Sequence, residues 1–447
     1  MKRRTFLKNT SLAAGMLTAG IPYSCKDAKA GASTDTAELQ IQPITTGPQQ
    51  HWFGYYDKQQ IDTSGRYALG AEVEKFFRSP TQQDVLRVGL IDLEQGNTWR
   101  EIGTSHSWGW QQGCMLQWIP GSDREVIWND YGTDGFISKV YDIKTGETRT
   151  LPRAVYTLSP DGKFALSLDF DRLQFFRPGY GYPTKTPVTN WEKAPDQAGI
   201  YKMDLQSGAS ELILTYAQLA GLDREAGSVA DYYHWFNHIL VNPSGTRFIF
   251  LNRSRPVPSS SDMSAYRKEN PEWNQSGKGH WLTRAITANT DGSDLYALND
   301  SGVFSHFIWK GDDTICAWAM PDGGGDAGFY EFPDKTKNAR QVGKGIMTVD
   351  GHNTYVPNTN YKWMLNDCYP QGEERLQELY LFHVPTEKKI SIGKFHEPKH
   401  FTGEWRCDLH PRCDQQGKRV FFDSTHKGDQ RQIYAVDISG IIAAGPR

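Results

Sequence analysis

His238-Ile-Leu-Val-Asn-Pro-Ser-Gly-Thr-Arg-Phe-Ile-Phe250 decides the fold. Apolar residues flank an Asn-Pro-Ser-Gly cluster, which reads as strand, tight turn, strand. The pattern recurs as Tyr156-Thr-Leu-Ser-Pro-Asp-Gly-Lys-Phe-Ala-Leu-Ser167, as His352-Asn-Thr-Tyr-Val-Pro-Asn-Thr-Asn-Tyr-Lys-Trp-Met364, and as His410-Pro-Arg-Cys-Asp-Gln-Gln-Gly-Lys-Arg-Val-Phe-Phe422. Weaker copies begin near Asp57, Gln112 and His306. Each unit closes on a further strand and turn, as in Val140-Tyr-Asp-Ile-Lys-Thr-Gly146 and Ile200-Tyr-Lys-Met-Asp-Leu-Gln-Ser-Gly208. The alternation has period two, so these are strands and not helices. Seven units of about 56 residues fit between residues 45 and 440. Repeated hairpins that close on themselves predict an all-β, seven-bladed β-propeller. A sandwich needs fewer strands, and an open solenoid needs capping repeats. The excess length falls in insertions at residues 177–195, 216–234 and 256–280, where long loops on a rigid scaffold carry function.

The 447 residues include 43 glycines and 14 tryptophans, which suits many short strands joined by tight turns. No long basic or acidic run is present, so a nucleic-acid-binding arm is not expected. Lys2-Arg3-Arg4-Thr5-Phe6-Leu7-Lys8 is a basic segment, followed by an apolar stretch at residues 12–21 that is too short to span a bilayer. This segment resembles a twin-arginine export signal, with Ala28-Lys29-Ala30 as a cleavage site. The expected organisation is a signal at 1–30, a linker at 31–44 and a catalytic propeller at 45–440. The expected location is periplasmic or secreted, with Cys25 a possible lipid anchor, and a monomer is expected. Loss of residues 1–30 removes six positive charges and one negative, moving the formal charge from −3 to −8. An anionic substrate then has to be held by a local basic site and not by the overall field. Cysteines 114, 316, 368, 407 and 413 would remain, an odd number that argues against a complete disulfide framework.

Aligned repeats place a histidine at the channel-facing position of four consecutive units: His238, His306, His352 and His410. Imidazoles gathered without carboxylates would repel if protonated, and a divalent cation resolves this. Zinc is the first expectation, with manganese and calcium as alternatives, and Cys368 or Cys407 could replace one ligand. The alternative is a ring of histidines hydrogen-bonded through water. A second cluster comprises His106, Gln112, Asn129, Tyr156, Arg172, Arg177, Tyr180 and Tyr182. Tyr156 starts an inner strand, and Arg172 follows the expected strand 164–170. Guanidinium, phenol and imidazole together suit elimination from a uronate. A cation neutralises the sugar carboxylate and acidifies the adjacent C5 proton, and a tyrosine or histidine removes it. Packing across a hairpin is the bland alternative for the same residues. Glu72 and Glu74 share a strand face, but no further acid is marked to oppose them as a glycosidase requires. No Walker loop, Rossmann fingerprint, His-Glu-x-x-His motif or nucleophile elbow is present.

Gln111-Gln112-Gly113-Cys114-Met115-Leu116-Gln117-Trp118, Arg177-Pro178-Gly179-Tyr180-Gly181-Tyr182, Asn237-His238-Ile239-Leu240-Val241-Asn242-Pro243 and Arg406-Cys407-Asp408-Leu409-His410-Pro411-Arg412 together resemble the propeller polysaccharide lyases related to oligogalacturonate lyases, which include ulvan lyases. The resemblance covers nearly all of the chain after the signal. It implies a seven-bladed propeller that cleaves a uronate-containing, ulvan-like polysaccharide by β-elimination, leaving an unsaturated uronate end. It implies catalysis by a histidine, a tyrosine and an arginine, with a metal bound elsewhere. His106, Tyr156 and Arg172 match those three, and Asn129 stands where many members carry a second histidine. Gln112, Asn129, Arg177, Tyr180 and Tyr182 are then expected substrate contacts. The rival expectations are a glycoside hydrolase on the same scaffold and a non-catalytic glycan-binding or cell-envelope propeller.

Overall fold

The repeated turn is built by side-chain capping of the backbone. Asn242 Oδ1 accepts from the backbone N–H groups of Thr246 and Arg247 at 2.9 and 3.0 Å. Ser159 Oγ does the same for Lys163 and Phe164, and Asp414 Oδ1 for Lys418 and Arg419. Gly162, Gly245 and Gly417 each close their turn with a positive φ of 68–75°. At Gly162 a Cβ would lie 2.3 Å from Pro120 O, so a side chain is excluded by contact as well as by conformation.

These turns join the first two strands of three of the seven four-stranded antiparallel sheets. The computed structural model describes residues 39–446 apart from 187, 189–190 and 257–280. Leu39 onward forms a single contact unit. The chain is a seven-bladed β-propeller. Blade four is the longest, with strands Tyr233–Val241, Arg247–Arg255, Leu282–Asn289 and Tyr296–Asn299. Phe248, Ile249 and Phe250 on its second strand are all fully buried. Both faces of that strand are covered by neighbouring blades, which explains continuous apolar runs where a half-exposed sheet would alternate. Tyr216, Phe236, Phe250 and Ile286 pack with Ile200 and Leu214 of blade three. Trp52, Trp108, Trp110, Trp118 and Trp128 fill the seam between blades one and two.

Blade seven draws on both ends of the chain. Arg412–Cys413, Arg419–Ser424 and Gln432–Asp437 supply three strands, and Gln42–Pro43 supplies the outermost. Gln42 pairs with Ala435 and Pro43 with Tyr434. An edge position tolerates a proline because no further ladder bond is required of it. The propeller therefore begins within the segment expected to be linker.

Three short α-helices are present among the described residues: α1 (Phe170–Phe176), α2 (Tyr216–Ala220) and α3 (Ser439–Ala444). α1 replaces the expected strand 164–170, whose strand portion stops at Ser167. Phe170, Leu173 and Phe176 recur at a spacing of three and are all buried, a helical face that overrides the preceding alternation. α2 opens with a capping box between Thr215 and Gln218. No described helix is long and apolar enough to cross a membrane. The expected signal at 1–30 and Cys25 lie outside the described residues.

Candidate functional site

Inner-strand irregularities aim side chains at the propeller axis. His238 and His410 have φ of 50° and 42°, in the left-handed region, and the pairing of blade four shifts register between Asn237 and Leu240. Such bulges re-aim side chains at a strain of about 1–3 kcal/mol each. The four histidines are all buried and gather around Tyr55 and Tyr56. The His306 and His352 rings are 4.1 Å apart and those of His352 and His410 4.3 Å.

The expectation that these histidines lack carboxylates is corrected by the structure. Asp57 Oδ2 lies 3.4 Å from His238 Nε2, Asp350 Oδ1 2.9 Å from His306 Nδ1, and both Asp367 oxygens 3.0 Å from His352 Nδ1. Asp408 Oδ2 is 3.9 Å from His410 Nε2. Burial raises the Asp57 pKa, but Lys58 at 2.9 Å and His238 outweigh it and hold the carboxyl at about 2. Burial lowers His352 and His410 far below the ordinary imidazole value, so both are neutral. Burial also opposes charge on His306, yet Asp350 outweighs it and raises that pKa.

Only part of the ring is free to hold a metal. His238 faces Asp57 and stacks on Phe307, and His306 is bonded to Asp350 and lies 3.3 Å from the Tyr369 hydroxyl. His352, Asp408 and His410 each offer a ligand atom within 4.8 Å of the others. Nε2 of both histidines is buried without a hydrogen-bond partner. Asp408 Oδ2 takes no well-aligned hydrogen bond, although Arg406 Nε stands 2.9 Å away. Neutral imidazoles, a carboxylate and a His352 ring oriented by Asp367 form a donor set that fits a divalent transition ion. The absence of a thiol suits manganese as well as zinc. Neither expected cysteine joins this group: Cys368 Sγ accepts from Glu378 N, and Cys407 is fully buried beneath the channel wall.

Beside this group stands Tyr180. Arg406 donates from Nη2 to the Tyr180 hydroxyl at 2.7 Å and from Nε to Asp408 Oδ1 at 3.1 Å. The Arg177 guanidinium lies 4.1 Å over the Tyr180 ring. Burial would raise the phenol pKa, but Arg177 and Arg406 outweigh it and bring it down to about 7. The segment carrying Tyr180 is fixed by glycines. A Cβ at Gly181 would lie 2.1 Å from Phe170 O, and one at Gly109 would lie 2.7 Å from Gly179 O. Gln111 N donates to Gly179 O and Tyr182 N to Phe170 O.

His106, Tyr156 and Arg172 share no hydrogen bond or ring contact with one another. His106 Nδ1 faces Gln82 O, and its backbone N–H donates to Asp130. Tyr156 OH accepts from His238 N at 2.9 Å and from Gln112 Nε2 at 2.8 Å, and burial pushes its pKa far above the ordinary phenol value. Arg172 sits on α1, not beyond a strand. Its guanidinium donates to the carbonyls of Glu192, Lys193 and His234, which turns it into the wall. Asn129 is spent on Val155 and on the Tyr182 hydroxyl, and all three are buried. Arg406, Arg253 and the four carboxylates were given no role in the sequence reading, although Arg406 and Asp408 lie in one of its motifs. Asp408-Leu409-His410 alternates on a strand-like segment and was the one readable signal. Glu72 is engaged by His51 and Arg87, so it offers no free acid to a paired-carboxylate site. A cavity of about 910 Å³ lined by Asp62, Arg66, Trp99 and Lys144 lies among the opposite turns of blades one and two, away from this chemistry.

No family model matches the chain, and no curated protein does. Among solved structures, an oligogalacturonate lyase from Vibrio parahaemolyticus superposes with a TM-score of 0.57 at 14% identity, covering 90% of this chain and 95% of that one. An oligogalacturonate lyase in complex with manganese also gives 0.57 at 14% identity, covering 89% and 93%. At these identities the likeness establishes the fold.

Proposed function

We propose that this chain is an exported lyase that cleaves uronate-containing poly- or oligosaccharide, ulvan-like or galacturonate-based, by β-elimination. One observation carries the reading: Arg406 bridges Tyr180 and Asp408, joining a candidate base and a candidate metal ligand through one guanidinium. Elimination needs a neutralised carboxylate, a base titrating near neutrality and no nucleophile. A divalent ion on His352, Asp408 and His410 would supply the charge that neutralises the uronate carboxylate. Tyr180, as phenolate, takes the C5 proton. The C5–H electron pair forms the C4–C5 double bond, and the C4–O bond breaks. The phenol so formed, held by Arg406, returns its proton to the leaving oxygen. Tyr156 and Arg172 frame the site, the first by bonding His238 N and the second by tying Glu192 and Lys193 of the blade-three insertion to His234 of blade four. Two solved structures of similar fold are oligogalacturonate lyases, which supports this chemistry.

The test is incubation of the purified protein, with manganese or zinc supplied, with ulvan and with oligogalacturonate. The expected result is a rise in unsaturated-uronate absorbance that Tyr180→Phe slows by about 10²–10⁴. No absorbance from any uronate glycan would remove the reading.

A further inference from the structure

Among the described residues several arginines keep one guanidinium nitrogen buried and unpartnered, and Arg253 keeps two. It stands near the end of the second strand of blade four, paired with Trp235 and Thr283, and is 5% exposed. Its Nε and Nη1 are buried without a hydrogen-bond partner. By contrast Arg172 donates to three carbonyls, and Arg284, although its Nε makes no aligned hydrogen bond, has the Asp300 carboxylate at 3.1 Å and donates to Leu219 O at 3.2 Å. Arg177 repeats the anomaly, with Nε buried and unpartnered. Among the described residues no carboxylate lies within ion-pair distance of Arg177 or Arg253. Both guanidiniums lie on the Trp281 ring, at 5.2 and 5.6 Å from its centroid, and that of Arg255 joins them at 4.7 Å. Burial, and after it the Arg177 charge, lower the Arg253 pKa to about 9.

A buried, unpaired guanidinium is costly, and two adjacent ones repel as well. Attraction to an indole face offsets only part of this. An oxyanion between them would accept from both forks and remove the repulsion. We propose that Arg177 and Arg253, with Trp281 beside them, bind an acidic group of a glycan, a carboxylate or a sulfate, next to the Tyr180 site. The glycan class rests on the lyase reading, but the anion site does not. Arg177 contacts both Arg253's partner ring and Tyr180, so the bound group belongs to a sugar adjoining the one that reacts. The substrate then carries acidic groups on successive sugars. Trp281 and Arg177 are half-buried, which leaves this pair open to solvent from one side.

The experiment is calorimetric binding of an oligogalacturonide, a sulfated oligosaccharide of similar length and a neutral one to the wild-type chain, to Arg253→Met and to Arg177→Gln. The acidic ligands are expected to bind the wild type, and each variant is expected to bind them about 10- to 100-fold more weakly. Binding of the sulfated ligand alone assigns the group as sulfate, and binding of the oligogalacturonide alone assigns it as carboxylate. Arg253→Met is expected to melt at or above the wild-type temperature, because an unpaired buried charge is removed. Unchanged affinity in both variants, no binding by the wild type, or a marked loss of melting temperature in Arg253→Met would overturn the proposal. Turnover is followed separately. Binding without unsaturated product retains the anion site and removes the lyase reading.

Discussion

Replacing Arg172 by methionine separates a catalytic from an architectural role. The side chain is 2% exposed and donates to three backbone carbonyls, two of them at 2.8 Å. A hydrogen bond from a charged donor contributes about 1.5–3 kcal/mol, so three give a gross loss of roughly 5–9 kcal/mol. Removing a desolvated guanidinium returns several kcal/mol, leaving a net destabilisation of about 3–5 kcal/mol. With an unfolding entropy of about 2.1 cal/mol/K per residue over roughly 400 residues, the melting temperature falls by about 4–6 °C. Differential scanning calorimetry measures that shift, and uronate turnover well below the transition measures function. Arg172→Lys recovers only part of the loss, since one ammonium cannot span all three carbonyls. An Arg172→Met protein that melts like the wild type but has lost turnover would refute this reasoning and return the guanidinium to the substrate.

Manganese at 100 times its dissociation constant is expected to stabilise the wild type by about 2.7 kcal/mol, roughly 3 °C, and to leave His410→Ala and Asp408→Asn unmoved in a thermal melt. If Tyr180 is the base, kcat/KM rises with pH through about 7, and Tyr180→Phe lowers it by about 10²–10⁴ across the range; a pH–rate profile without that inflection excludes the phenolate. Asp169 is buried, and desolvation followed by Asp171 raises its pKa from 3.8 to about 7. Its ionisation therefore costs the folded state, and stability falls as pH climbs from about 4 to about 7. Asp169→Asn should remove that decline and add on the order of 2–4 kcal/mol at pH 8, read from denaturant unfolding at several pH values.

The scaffold was readable because its grammar is local. Asn242, Ser159 and Asp414 cap their own turns within five residues, and alternation fixes which side chains face the axis. The convergence of His238, His306, His352 and His410 followed from that register alone. What could not be read was partnership. Asp350 serves His306 and Asp367 serves His352 from segments with no repeat signature, so the histidines looked unaccompanied. Arg172 was misplaced because the apolar alternation through Ser167 hides a switch to helical spacing at Phe170. Tyr180 owes its lowered pKa to Arg177, three residues before it, and to Arg406, more than two hundred residues away, and the second relation exists only once the ring is shut.

The pairing of Gln42–Pro43 with blade seven gives the molecule a clasp, and the clasp governs when chemistry becomes available. Its halves, Gln42–Pro43 and Gln432–Asp437, lie far apart in the sequence, so blade seven cannot finish until its third strand has been made. Asp408 and His410 sit on the span leading into that same blade, so the candidate metal ligands are among the last parts to settle. A chain trimmed past Pro43 would keep six complete blades and expose a raw sheet edge at the seventh. Such a fragment would stick to its own kind before it lost its secondary structure.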